Sequence, residues 1–264
     1  MARPGKRRLS MHEPPLFVIM AKAPVCGSVK TRLAIGIGPV AATALARTLT
    51  AALLREVAGD RRFRTILAIS PDHARHAPFM AWSLTYRHPG TATRAECGIA
   101  KSGDAAHHSK RPRISADAPS GVTIAAGKCQ RICQGRGGLA HRMQRIFDRC
   151  GRGPLIIVGT DIPFITSDMI ANAFSSLRRA DAVFGRAEDG GYWLVGLRRR
   201  PKRLAPFENV RWSSPYALAD TLQNLRSHRI AFAATLFDID SEADYRRYFR
   251  ERYRQINRPL IGID

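Results

Sequence analysis

Short apolar runs alternate with longer helical patterns along most of the chain, and this alternation constrains the fold more than any other feature. Leu16–Met20, Thr65–Ile69 and Pro154–Val158 read LFVIM, TILAI and PLIIV, and a turn containing Pro or Gly follows each of them. Continuous apolar runs of this length are typical of parallel strands that are buried on both faces. Because these runs alternate with helices, the sequence predicts a three-layer α/β/α sandwich with a mostly parallel sheet.

The remaining elements follow the same logic. Residues 39–58 start with Pro and carry Ala and Leu at helical spacing, which predicts a helix. Similar patterns predict helices over Leu139–Arg149, 166–179, 214–226 and Glu242–Arg254, and strands over Ala182–Phe184, Tyr192–Leu197 and Ile230–Phe237.

The expected domain organisation is one domain over residues 15–254, with a basic tail over 1–14 and a second tail over 255–264. Residues 84–135 interrupt the pattern, because they are rich in Ala, Ser, Gly, His and basic residues and lack apolar periodicity. Such a segment is either disordered or a functional lid, and an inserted or frame-shifted segment would look the same. We predict that it is disordered.

The chain is strongly basic, with 43 Lys and Arg against 21 Asp and Glu and a formal net charge of +22. Such a charge attracts nucleic acid, anionic membranes and phosphorylated small molecules. Much of the excess lies in peripheral runs such as Arg198–Arg203, and no nucleic-acid-binding motif accompanies it. Solvated basic surface is therefore the preferred interpretation, with nonspecific binding of nucleic acid left open.

The five cysteines are odd in number and irregularly spaced, which argues against a disulfide framework and for a reducing compartment. Their spacing does not suit a zinc site. Apolar runs are too short for a signal-peptide core or a membrane span. We therefore expect a cytoplasmic protein.

The first candidate site is the loop after the first predicted strand. Gly27 allows close approach of a ligand to the backbone, and Lys22, Lys30 and Arg32 supply three cations for phosphate oxygens. In open α/β sheets ligands bind beyond the carboxyl ends of the strands, which is where this loop lies. We prefer a nucleotide-phosphate site to the alternative of a basic surface loop.

Carboxylates follow two further predicted strands. Asp161 lies in the turn GTDIP after PLIIV, and Asp238 and Asp240 follow the last strand. Mg²⁺ and Mn²⁺ prefer oxygen ligands and often take one or two carboxylates together with substrate phosphates. Asp161 is the preferred metal ligand, and either Asp238 or Asp240 is the candidate second ligand if their strand end lies near Asp161. Asp161 also suits a plain turn, and the segment at Ser241 suits a helix cap.

A fourth segment combines acids, glycines and aromatic residues. Asp189, Gly190, Gly191 and Tyr192 are consecutive, which suits a loop that packs flat against a ligand. Asp-Gly is equally typical of a hairpin turn, and the spacing alone does not separate the two interpretations.

Taken together, the segments KAPVCGSVKTRL, GTDIPFIT, AEDGGYWLVGL and DIDSEADY resemble a bacterial glycosyltransferase-like family related to phospholactate guanylyltransferase, within the GT-A (nucleotide-diphospho-sugar transferase) superfamily. The resemblance covers roughly residues 16–82 and 134–245. It implies a GT-A, Rossmann-like mixed sheet. The sequence departs from the family motif G-D-L-G-x-R-M, because Gly138 stands at the acidic position and Ala140 at the second glycine.

The resemblance also implies roles for the candidate residues. Lys30 and Arg32 correspond to nucleotide-phosphate contacts, Asp161 to a catalytic metal ligand, and Asp240 to a second metal-side position. Asp189, predicted as catalytic, lies with Gly190, Gly191 and Tyr192 on the side of the sugar or acceptor.

The expected function is transfer from a nucleotide donor to a small-molecule acceptor with Mg²⁺ or Mn²⁺ as cofactor. A glycosyltransferase using a nucleotide sugar ranks first, and a nucleotidyltransferase that releases pyrophosphate is the alternative. A basic nucleic-acid-binding protein on an inactive scaffold is the competing hypothesis from a different class.

Overall fold

One eight-stranded sheet, with strand order β3-β4-β2-β1-β5-β7-β6-β8, forms the centre of the molecule. The computed structural model describes residues 14–76, 121–124, 127–150, 153–199 and 204–257. The strands are β1 (Leu16–Lys22), β2 (Arg64–Ser70), β3 (Gly121–Ile124), β4 (Gly127–Cys133), β5 (Leu155–Val158), β6 (Ala182–Ala187), β7 (Tyr192–Leu197) and β8 (Ile230–Leu236).

Six α-helices occur in the same ranges, together with one 3₁₀ turn over Asp72–His76. The helices are α1 (Thr31–Ile37), α2 (Pro39–Glu56), α3 (Leu139–Arg149), α4 (Ser167–Ser176), α5 (Ala217–Gln223) and α6 (Glu242–Ile256).

The sheet is mixed but mostly parallel. Strands β4, β2, β1 and β5 pair in parallel, and β6 pairs in parallel with β8. Strand β7 is antiparallel to both of its neighbours, β5 and β6, and β3 is antiparallel to β4 at the edge. The predicted fold class is therefore confirmed.

Alternate side chains of β1 point to opposite faces of the sheet and pack against two different helical layers. Phe17 and Ile19 face a buried cluster that includes Leu53 of α2 and Ile170 of α4. Leu16 and Val18 face a second cluster, which contains Met143, Ile146 and Phe147 of α3. Burial of apolar side chains on both faces explains why the strand sequences are continuous apolar runs rather than alternating ones.

A third buried cluster joins distant parts of the chain. Leu33 of α1 and Leu45 of α2 pack with Phe237, Ile239 and Tyr248. This packing holds the loop after β1 against the segment after β8, although more than two hundred residues separate them.

Three elements differ from the sequence prediction, and one of them is β3 (Gly121–Ile124), an edge strand within the stretch that was predicted to be disordered. Residues 31–37, predicted as loop, form α1, which Gly38 separates from α2. Gly127–Cys133, predicted as part of a disordered stretch, forms β4 in parallel register with β2. β4 has few apolar residues, and its pairing with β2 is a long-range contact that local patterns do not reveal.

The other organisational predictions fall mainly on undescribed residues. The N-terminal tail up to residue 13, residues 84–120 of the predicted disordered stretch, and residues 258–264 of the second tail lie outside the described ranges. Within the described ranges, no helix is long and apolar enough to cross a membrane.

Cysteine chemistry departs from the prediction at one position. Cys26 is disulfide-bonded, whereas Cys129, Cys133 and Cys150 are free thiols. The argument from odd number and spacing therefore does not hold for Cys26, and the cytoplasmic location that it supported stays a prediction.

Candidate active site

A cavity of about 490 Å³ lies at the edge of the sheet where the parallel strands end. The loops after β1, β4 and β5 line it, and so do the β6–β7 connection and the segment after β8. Its volume is within the range of roughly 300–1,000 Å³ that is typical of small-molecule sites. This is the edge at which open α/β sheets bind ligands.

Lys30 joins three of these segments. Its backbone is left-handed, with φ 50°, immediately before α1, and its side chain is only 3% exposed. The ammonium Nζ donates a hydrogen bond to the Ile239 carbonyl at 2.7 Å. The same nitrogen lies 3.0 Å from Oδ1 of Asp161 and 3.7 Å from Oδ1 of Asp240. The Nζ atom of Lys30 therefore links the cationic loop to both predicted metal ligands.

Both carboxylates around Lys30 are accessible from solvent. The Asp161 side chain is 58% exposed and that of Asp240 is 42% exposed. Arg32, itself largely exposed, has Nη1 3.6 Å from Oδ2 of Asp240. The described residues contain no group of three or more His, Cys, Asp or Glu side chains that could hold a metal ion. A metal here would need substrate or water oxygens to complete its coordination.

Asp238 lines the cavity, whereas Asp240 does not. Because β8 ends at Leu236, both aspartates follow the strand rather than lying within it. Burial, together with the negative charges of Asp240 and Asp189, raises the pKa of Asp238 to about 6, although the nearby charge of Lys30 lowers it. Three carboxylates thus interact electrostatically at this end of the cavity.

The β6–β7 connection contributes Asp189 and Gly191 to the cavity. Asp189 Oδ1 accepts a hydrogen bond from the Gly191 amide at 2.8 Å, which is turn chemistry. Gly190 has φ +87°, and a Cβ at this position would collide with the backbone of Pro215. The segment is therefore a hairpin turn that also faces the cavity, and its contact with a ligand stays a prediction.

Aromatic rings line the cavity near β7. Tyr192, Trp193 and Trp212 all contribute, and the rings of Tyr192 and Trp212 are 6.2 Å apart between centroids. Trp193 is almost completely buried, and its Nε1 donates to the Ala234 carbonyl at 2.9 Å. Trp212 was not predicted, because only the folded chain brings its loop over the β7 side.

Gln134 and Arg142 also line the cavity and were not predicted. Gln134 follows β4 and is 2% exposed, and its Oε1 accepts a hydrogen bond from Nη1 of Arg142 at 2.8 Å. The one signal in the sequence was the resemblance around Gly138, where Arg142 occupies the arginine position of the family motif.

The predicted site residues fall into two groups. Lys22, Lys30, Asp161, Asp189, Gly191 and Tyr192 line the cavity. Gly27, Gly190 and Asp240 belong to the surrounding loops, and Arg32 lies in the first turn of α1. Gly27 has φ +78° in the turn that leads from β1 to α1.

Comparison with solved structures defines the class of fold. The chain is similar to the "putative nucleotide-diphospho-sugar transferase" of Desulfovibrio desulfuricans G20, with a TM-score of 0.65, 19% identity, and coverage of 96% of this chain and 100% of that one. It is also similar to the inositol-1-phosphate CTP transferase of T. maritima, with a TM-score of 0.50, 12% identity, and coverage of 95% and 98%. The fold is that of the nucleotide-diphospho-sugar transferases.

Comparison with family models adds a sequence relationship. Residues 85–214, just under half of the chain, match the bacterial family described as "Uncharacterized protein conserved in bacteria (DUF2064)". The family match and the fold both agree with the predicted resemblance. Comparison with curated proteins gives no match.

Proposed function

We propose that this chain is a transferase that takes a glycosyl group from a nucleotide sugar, with Mg²⁺ or Mn²⁺ as cofactor. The observation that carries the proposal is the meeting of Lys30, Asp161 and Asp240 at the rim of the cavity. A cation and two carboxylates at the carboxyl ends of parallel strands suit a diphosphate bound together with a divalent ion.

The residues present fit such an ion. Asp161 and Asp240 offer oxygen ligands, are both accessible, and each place an oxygen within 3.7 Å of the same nitrogen. A divalent ion held there supplies positive charge for the departing nucleoside diphosphate. Lys30 keeps both carboxylates oriented toward one point and lowers their mutual repulsion. Catalysis would then depend mainly on positioning and electrostatics.

The aromatic side of the cavity favours glycosyl transfer over its alternative. Tyr192 and Trp212 place aromatic rings along the cavity that the carboxylates also line, and such rings suit the C–H faces of a sugar ring. The name of the Desulfovibrio relative points in the same direction.

Nucleotidyl transfer with release of pyrophosphate is the second candidate. The cationic loop after β1 and the Asp-Ile-Pro turn at Asp161 support it, because both suit the polyphosphate of a nucleoside triphosphate. The likeness to a CTP transferase is consistent with it. The hypothesis of a nucleic-acid-binding protein on an inactive scaffold is supported only by the net charge.

Identification of the reaction products separates these candidates. The protein would be incubated with nucleotide sugars or nucleoside triphosphates, a panel of small acceptors and Mn²⁺, followed by mass spectrometry. Release of a nucleoside diphosphate supports glycosyl transfer, whereas release of pyrophosphate supports nucleotidyl transfer. Absence of either product, together with salt-sensitive binding of oligonucleotides, would favour the nucleic-acid-binding hypothesis.

A matched pair of variants links the activity to the site. Asp161→Asn removes the carboxylate at the cavity, and we expect turnover to fall at least about a hundredfold, in line with the loss of a key electrostatic group. Asp168→Asn is the control, because Asp168 is exposed, pairs with Arg62 at 2.8 Å and does not line the cavity. Equal activity in both variants would refute the role of Asp161.

A further inference from the structure

The cations that line the cavity differ in their partners. Lys30 is compensated, because its ammonium contacts Asp161, Asp240 and the Ile239 carbonyl. Lys22 and Arg142 line the same cavity, yet neither forms an ion pair with any carboxylate in the described part of the chain. Among the cations that line the cavity, Lys22 and Arg142 are therefore the two that have no carboxylate partner in the described part of the chain.

Arg142 is held in place by a buried amide. Gln134 Nε2 donates to the carbonyl of Ala21 in β1 at 3.0 Å and to that of Ala68 in β2 at 2.9 Å. With both amide hydrogens used, the Gln134 Oε1 acceptor points to Nη1 of Arg142 at 2.8 Å. Both central strands thereby fix the guanidinium at the side of the cavity.

The guanidinium of Arg142 keeps unused donor capacity. Its Nε atom is buried and has no hydrogen-bond partner among the described residues. Only Nη1 of the Arg142 guanidinium has a hydrogen-bond partner among the described residues, so N–H groups remain for an anionic ligand in the cavity. Arginine binds phosphate through two parallel N–H groups, which suits this role.

The start of α3 adds to the same electrostatic field. Leu139, its first residue, lines the cavity, and the first turn contains no acidic side chain and no side-chain cap. The amides at a helix start carry partial positive charge, which favours a nearby anion. This contribution supplements the two side chains and would not define a site without them.

We propose that Lys22 and Arg142 bind the diphosphate of the ligand, and that Lys30 is a positioning residue for Asp161 and Asp240. This assignment differs from the one implied by the family resemblance, which gave phosphate contacts to Lys30 and Arg32. That the diphosphate belongs to a nucleotide donor rests on the proposed function, whereas the anion subsite itself follows from the charges and contacts around Arg142.

Binding of inorganic pyrophosphate in the presence of EDTA tests the subsite without metal or turnover. Isothermal titration would compare wild type with Arg142→Gln and Lys22→Gln. The loss of charged hydrogen bonds to a ligand predicts a Kd at least about tenfold higher in Arg142→Gln. Arg149→Gln is the matched control, because Arg149 lies exposed on the same helix and does not line the cavity. It removes the same charge and should leave the Kd within about twofold of wild type.

The outcomes separate this inference from the proposed function. Lys22 is exposed and has no partner among the described residues, so Lys22→Gln keeps the test valid if Arg142→Gln does not fold. No binding by wild type, or an equal loss in Arg142→Gln and Arg149→Gln, would overturn the subsite. Arg142-dependent binding without turnover of any donor would contradict only the proposed function. Turnover with the same KM in wild type and Arg142→Gln would contradict only the subsite.

Discussion

At the residue scale, Lys30 combines an unusual backbone with a buried charge. A left-handed conformation is uncommon for residues other than Gly, Asn and Asp, so the surroundings must hold it. The partners of its ammonium come from the segments after β5 and β8, at Asp161, Ile239 and Asp240. One side chain therefore connects three of the loops that line or border the cavity.

Substitution of Lys30 should cost stability as well as activity. Lys30→Met removes a buried ammonium and leaves Asp161 and Asp240 to repel each other, so we expect the free energy of unfolding to fall by about 1–3 kcal/mol. Urea denaturation would measure it. Arg32→Met is the control, because the Arg32 side chain is 68% exposed and its pair with Asp240 spans 3.6 Å, so its effect should stay within about 0.5 kcal/mol. Equal losses would show that Lys30 is not the connecting residue.

The ion pair between Arg211 and Asp220 lies next to Trp212 in the cavity wall. It predicts that the stability of the folded protein depends on pH. Hydrogen bonds from the Arg211 side chain lower the pKa of Asp220 to about 2, from an ordinary value of 3.8. Because the folded-state pKa is depressed, the stabilisation is present above about pH 4 and is lost as the pH falls toward 2.

Asp220→Asn should therefore be less stable than wild type at pH 6, and the difference should vanish near pH 2. Denaturation at several pH values would test this prediction. Glu208→Gln serves as the control, because Glu208 is exposed and makes no ion pair with a described residue. A difference between Asp220→Asn and wild type that does not change with pH would contradict the account.

At the element scale, the β6–β7 connection and the start of α5 fit together through a glycine. The Gly190 carbonyl accepts a hydrogen bond from the Leu218 amide at 3.2 Å, and its Cα faces the Pro215 backbone. This contact fixes the turn that carries Asp189 and Gly191 into the cavity. Its geometry depends on the absence of a side chain at position 190.

Gly190→Ala should displace this connection. A Cβ there would collide with Pro215, and the positive φ adds backbone strain, so we expect a loss of about 2–4 kcal/mol in unfolding free energy. Gly138→Ala is the matched control, because that position has φ −65° and open space where a Cβ would lie. Thermal denaturation of both variants would be compared. Similar melting temperatures would contradict the close packing at Gly190.

The elements that the sequence predicted well are those with a local signal. Leu155–Val158 and residues 39–56 were recognisable because continuous apolar runs and helical spacing lie within the segment itself. β4 was not predicted, because it is stabilised by pairing with β2 rather than by a local pattern. The helix Thr31–Ile37 was not predicted, because glycines at 36 and 38 interrupt its pattern. Motif residues such as Asp161 could be predicted, whereas the contact between Gln134 and Arg142 required the fold.

At the scale of the whole molecule, one sheet edge collects residues from positions 20 to 238 into a single cavity. The packing of Leu33, Phe237 and Tyr248 holds together the parts of this edge that are farthest apart in the sequence. The net charge of +22 will attract polyphosphates and nucleic acids alike, so weak binding at low salt does not distinguish a site. Specific binding must instead depend on particular side chains and on metal.

Titration of nucleotide sugars at about physiological salt, with Mn²⁺ or with EDTA, therefore tests the account most directly. We predict that wild type and Asp168→Asn bind a donor much more tightly with Mn²⁺ than with EDTA, and that Asp161→Asn loses this dependence on metal. Equal affinity with Mn²⁺ and with EDTA, or an undiminished metal effect in Asp161→Asn, would contradict a nucleotide site built on Asp161.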